Sequence, residues 1–232
     1  MHRARPKDVV PATAELLRML LEDAGSAKVT VVGNSAGAGL ALAACQWLRD
    51  RGYRQPNRMV LISPAADASV SRPEQVAIAA RDPIQDIPGN LEAGRLYAGE
   101  LDIGHRFVSP LNGAFRALAP MTIFSGTRDL LFPDSVELAD RATAAGVPVE
   151  LHLLRDQPHN YALMPTPEGR RARAIILRAV AQGGGVIVVT KSAAAMGSGA
   201  VDARAERPCG PRGVSSFLVL VRRLGISSFA ER

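Results

Sequence analysis

The chain is poor in the residues that staple or ligate. Two cysteines, Cys45 and Cys209, among 232 residues are too few for a disulfide framework, which excludes the small secreted scaffolds. Cys45 falls within a helical pattern, where a thiol serves as a small core residue. No C-x-x-C or H-E-x-x-H occurs, so no metal site is readable and no cofactor is expected. Aromatics make up 4% of the chain, with one tryptophan. No run of basic residues is interleaved with them, so no nucleic-acid platform is expected. No stretch approaches the roughly 18 apolar residues that a spanning helix needs. The opening MHRARPKDVV is basic, but no continuous apolar segment follows it. These absences point to a soluble, cytoplasmic protein without an integral membrane segment.

The charge that is present is unevenly spread. Of the formal net +6, +4 lies in residues 183–232, which hold seven Lys/Arg against three Asp/Glu. The other 182 residues are close to neutral. A chain 47% hydrophobic and 22% charged is ordinary for a globular protein, and its length suits one α/β domain with a sizeable core.

The chain is organised around KVTVVGNSAGAGLALAACQW, residues 28–47. Val29, Thr30, Val31 and Val32 read as a short buried strand, while Leu40, Ala41, Ala43, Ala44, Trp47 and Leu48 recur at helical spacing. Between them stands Gly33-Asn34-Ser35-Ala36-Gly37, a G-x-S-x-G turn. A residue on so sharp a strand-to-helix bend is forced into a strained backbone, and flanking glycines leave room for the adjoining strand and helix. The Ser35 hydroxyl is then presented at the carboxyl end of a strand, and the amide of Ala36 opens the helix as a donor for a developing oxyanion. The pentamer alone is weak evidence; its place between a β-run and an amphipathic helix is what gives it weight.

Upstream, residues 11–24 (PATAELLRMLLEDA) predict a helix with Leu16, Leu17, Leu20 and Leu21 on one stripe, Pro near its first turn and Gly25 just past its end. Downstream, residues 58–63 (RMVLIS) predict a second strand, 121–125 (MTIFS) a third and 149–154 (VELHLL) a fourth. Helices are predicted at about 90–100, 133–145 and 168–182. Alternating strands and helices predict a doubly wound parallel sheet with helices on both faces. Residues 64–120 form a long, turn-rich connection, read as a cap-like insertion covering a site. The domain then spans residues 1–182.

In such sheets ligands gather where strands end. Ser35 follows the first strand, Asp129 the third and His159 the fourth. A serine hydroxyl needs a base to take its proton, imidazole is poised for this near neutral pH, and a carboxylate fixes the imidazole tautomer. Each role has a competitor. Asp67, past the second strand, could supply the acid in place of Asp129. His152 competes with His159 but sits within a strand pattern. Asp134 reads as a first-turn helix residue whose charge suits the dipole. Asp156 reads as a solvated loop residue, and His2 and His105 have nothing catalytic around them.

The chain resembles the hormone-sensitive-lipase-like esterases of the α/β-hydrolase superfamily from about residue 11 to about residue 180. The motifs that carry this are GNSAG followed by GAGLALA, the strand MVLISP, the segment VSPLNG, and MTIFSGTRDLLFPDSVELADRATAAGVPVELHLLRDQPHNYAL. The order Ser, Asp, His is also that of α/β-hydrolases. The resemblance implies hydrolysis of short or medium acyl esters, small molecules, through an acyl-enzyme. Ser35 would be the nucleophile, His159 the base and then the acid, Asp129 the orienting carboxylate and the Ala36 amide an oxyanion donor. Two departures stand out. Asn34 occupies a position usually held by Asp, which does no chemistry. The His-Gly-Gly motif and the strands that precede the elbow in that family are not in this chain, so an amino-terminally truncated α/β-hydrolase-like sheet is expected, with a weakened oxyanion hole and an exposed sheet edge beside the Ser35 strand. The alternative is a catalytically impaired remnant that acts as a binding protein. A homo-oligomer is compatible with the sequence.

Residues 183–232 read as a basic, flexible extension. They carry two isolated apolar runs, Val186-Ile187-Val188-Val189 and Phe217-Leu218-Val219-Leu220-Val221. One of these runs could pair with the exposed edge, and the second could lie on a membrane surface.

Overall fold

A computed structural model describes residues 5–25 and 28–181 in full, together with the backbone of Gln182 and the backbone pairing of two later strands. Four strands follow the predicted runs: β1 Val29–Asn34, β2 Arg58–Ile62, β3 Met121–Gly126 and β4 Val149–Leu154. They are joined by β5 Val186–Thr190 and β6 Arg222–Arg223 in one sheet of order β4-β3-β2-β1-β5-β6. Every pairing from β4 to β5 is parallel, and only β6 runs antiparallel. The pairing of β5 with β1 in the register Val31↔Val188 puts the first apolar run of the carboxyl-terminal segment against the edge that its β-branched composition suits. The second run, like the membrane-surface reading attached to it, lies outside the described residues, as does most of the extension.

Strand residues alternate between the two faces, and each face is covered by helices. On one face Met59, Leu61, Met121 and Ile123 pack with α1 (Pro6–Asp23), α2 (Ala36–Asp50) and α5 (Phe132–Ala144) through Leu17, Leu21, Leu42, Leu48 and Leu138. On the other, Val60, Ile62 and Phe124 meet Ala172, Ile176 and Val180 of α6 (Pro167–Gln182). This is the doubly wound arrangement expected from the alternation of elements. Cys45, on the inner side of α2, is fully buried, and burial pushes its thiol up to about 12.

Two local expectations are corrected. The first helix begins five residues earlier, at Pro6, so Pro11 lies inside it. Proline at the first position costs nothing there because that N–H has no helical partner. Its buried stripe is Val10, Ala14, Leu17 and Leu21, with Leu16 turned out at 37% exposure. Leu20 packs partly buried against this core, so of the four leucines expected on one stripe only Leu16 falls outside it. In the 64–120 connection, α4 spans Ile87–Ala98, started by the Asp86 side chain accepting from the Gly89 amide. A further helix, α3 Glu74–Ala79, precedes it, and no sequence pattern announced it.

Candidate active site

The turn after β1 shows the strain that its sequence demands. Ser35 has φ 52° and ψ −126°, a region that costs an L-residue of order 1–3 kcal/mol unless its surroundings enforce it. They do so from three sides. The Ser35 amide donates to Ile62 O at 2.8 Å, and the Ser35 carbonyl accepts from Ala65 N at 3.1 Å and Ala38 N at 3.0 Å. Gly33 makes the bend possible, since a Cβ there would lie 2.7 Å from the Ala38 Cα. A Cβ at Gly39 would lie 2.2 Å from Ala65 O, so the loop after β2 crosses α2 against bare backbone.

Asp129 and His159 come from loops at the ends of the next strands along the sheet. Asp129 is fully buried. Its amide donates to Gly126 O, and its Oδ1 accepts from the Leu131 amide at 2.9 Å. The two loops touch because β3 ends in glycine: a Cβ on Gly126 would stand 2.1 Å from Gln157 O. Arg128 N donates to that same carbonyl at 3.0 Å. Beyond it, Asn160 takes the left-handed conformation, φ 58°, which asparagine tolerates better than most residues. Its amide donates to Ser63 Oγ at 2.9 Å, and His159 is held between, 5% exposed.

The three side chains converge. His159 Nδ1 lies 3.0 and 3.1 Å from the two Asp129 carboxylate oxygens, and His159 Nε2 lies 3.0 Å from Ser35 Oγ. A carboxylate can only accept, so Nδ1 carries the proton and Nε2 turns a lone pair to the serine hydroxyl, which donates to it. The amide of Ala36 is the first of α2, where a helix leaves its N–H groups without helical partners.

The competitors go elsewhere. Asp67 accepts from the Ser69 amide and hydroxyl at 2.9 and 2.7 Å and from Ser109 Oγ at 3.3 Å. His152 stacks on Phe124 within the sheet, ring centroids 4.7 Å apart, with Nε2 3.0 Å from Glu150 Oε1. His105 accepts from its neighbour Phe107 N. Asp156 is an exposed turn residue with φ 58°, and His2 lies outside the described residues. Asp134 stands in the first turn of α5, as expected, but its carboxyl is buried, with Arg72 Nε at 2.6 Å. Burial pushes it up to about 7, and the neighbouring Asp67 and Glu137 charges add to the rise, against the pull of Arg72. Desolvation outweighs the helix dipole here.

Sequence reasoning missed Ser63, which holds the histidine loop, and Gly126, which lets the acid and base loops meet. The first left no signal beyond its place at a strand end. The second was visible as the glycine closing the β-run before Thr127-Arg128-Asp129. Among the described residues no group of three or more metal-ligating side chains gathers, and no helix is long and apolar enough to cross a membrane.

Comparison with known proteins bears on the fold and the family. Residues 4–163 match the family described as the alpha/beta hydrolase fold. An acetyl-hydrolase of Streptomyces hygroscopicus is 35% identical over 178 residues, covering 74% of this chain and 60% of that protein. A triacylglycerol lipase of Mycobacterium tuberculosis is 34% identical over 161 residues, covering 69% of this chain and 32% of that protein. The crystal structure of a hormone-sensitive lipase from a metagenome library superposes with a TM-score of 0.72 at 31% identity, covering 78% of this chain and 63% of that one. The chain thus spans less than two thirds of the length of these relatives. With the matched domain and the parallel sheet in agreement, the chain belongs to the α/β-hydrolase fold family and is similar to hormone-sensitive-lipase-like members of it.

Proposed function

We propose that the chain hydrolyses carboxylic esters of short or medium acyl groups through a covalent acyl-enzyme. The observation that carries this reading is the continuous relay from Ser35 Oγ through His159 to Asp129, with both links at 3.0 Å. In the first half-reaction His159 Nε2 takes the hydroxyl proton as Ser35 Oγ bonds to the ester carbonyl carbon. The tetrahedral oxyanion forms beside the Ala36 amide. Its collapse breaks the bond to the alcohol oxygen, which leaves with the proton held on His159. In the second half-reaction His159 deprotonates a water that attacks the acyl carbon, and Ser35 Oγ recovers the proton as the carboxylic acid departs. Asp129 holds the imidazole in one tautomer and stabilises its cation throughout. That relatives are an acetyl-hydrolase and a triacylglycerol lipase favours esters over amides as substrates.

The test is hydrolysis of p-nitrophenyl butyrate by the pure chain. Ser35→Ala should lower turnover about a thousandfold or more, because the nucleophile and its base act as one unit. Unchanged turnover in that variant would overturn the proposal.

A further inference from the structure

We propose that the segment around α3 positions the carboxylate of Asp129 against His159, through Gln75 and Asp82. This inference rests on the ester-hydrolase reading only for its kinetic consequences. Leu130 is the residue after Asp129, and side chains of one distant segment take both polar groups of its backbone. Its amide donates to Asp82 Oδ2 at 2.8 Å, and its carbonyl accepts from Gln75 Nε2 at 3.1 Å. The segment grips the same loop at its two ends. Arg128 donates through Nε and a terminal nitrogen to Arg81 O at 3.0 and 2.9 Å, and Arg72 pairs with Asp134 and Glu137.

The grip is itself braced. Gln75 is fully buried, and its Oε1 accepts from the Arg72 amide at 3.0 Å. Asp82 Oδ1 accepts from the amides of Ile84 and Gln85, so the carboxylate cannot swing away from Leu130 without losing its own turn. The Asp129 carboxylate, in contrast, takes a backbone bond from its own loop, donated by the Leu131 amide. The peptide on which its direction depends is therefore fixed from outside the loop. Misplacement of a reacting group by about 1 Å can cost about a hundredfold in rate, so the braces on this peptide matter to the relay although they touch neither histidine nor serine.

The experiment uses the full chain and the variants Asp82→Ala and Gln75→Leu. Leu138→Ala, in the core of α5, serves as a control for lost stability alone. Fluorophosphonate titration counts intact sites, and NMR follows the His159 Nδ1 proton that faces Asp129. Loss of the brace should lower kcat per titrated site about tenfold, leave KM near the parent value, and move the Nδ1 proton resonance upfield, because a longer, misaligned bond to the carboxylate deshields that proton less. The control should lower the melting temperature without moving kcat per site or that resonance. The proposal is overturned if both brace variants behave like the control, with the Nδ1 proton resonance where the parent has it. An inactive parent would sink the ester-hydrolase reading alone, since the Nδ1 proton still reports the brace.

Discussion

At the scale of single residues, the chain spends stability on its site. Ser35 is held at φ 52° by neighbours that leave it no alternative, and glycine occupies this region without a Cβ penalty. Ser35→Gly should therefore raise the unfolding free energy by about 1 kcal/mol while ending turnover, as a urea titration of the inactive variant would show. Asp134 is a second such residue. Its carboxyl is pushed from the usual 3.8 to about 7, so the native state holds that proton more tightly than the unfolded chain does. Stability from this group is complete below about 3.8 and is lost as pH rises toward about 7. Asp134→Asn should remove that decline. The difference in urea midpoint between variant and parent should grow in the variant's favour from pH 4 to pH 7, and parallel curves would contradict it.

At the scale of elements, the site depends on how closely two loops approach. Gly126 ends β3 where the carbonyl of Gln157 would sit 2.1 Å from any added Cβ, and its two nearest atoms, the Gln157 carbonyl oxygen and carbon, are main chain. Gly126→Ala must push the histidine loop off the acid loop, and kcat should fall about a hundredfold while far-UV circular dichroism stays near that of the parent. The elements themselves were legible in the sequence to different degrees. The runs of β1, β2 and β3 stood out because a strand buried on both faces is largely apolar, the edge strand β4 kept enough β-branched and apolar residues around Glu150 and His152 to be read as well, and Ser35, Asp129 and His159 could be picked because each follows such a run. The start of α1 was misplaced because the polar stretch before Pro11 gave no apolar period, although Val9 and Val10 are buried. Helix α3 and its grip on Leu130 were illegible for a stronger reason. Side-chain bonds to backbone groups 48 and 55 residues away leave no periodicity, and glutamine and aspartate in a turn-rich connection read as solvated loop. The buried state of Asp134 was hidden likewise, because its partner Arg72 lies 62 residues earlier.

At the scale of the whole molecule, the relay is a long-range contact. Ser35 and His159 are 124 positions apart and meet only when β1 to β4 stand in register. No partial sheet assembles them, and parallel strands with crossover helices pair late because loop closure precedes any reward. Reactivity of Ser35 toward a fluorophosphonate should thus vanish in step with the global unfolding transition in urea; labelling that outlasts the loss of near-UV signal would show a surviving subdomain. The sealed thiol of Cys45 extends this to time. With its sulfur fully buried and held protonated up to about 12, alkylation must wait for α2 to leave the sheet. In a Cys209→Ser background the rate of iodoacetamide uptake becomes a stopwatch for that departure, with no dye or substrate added.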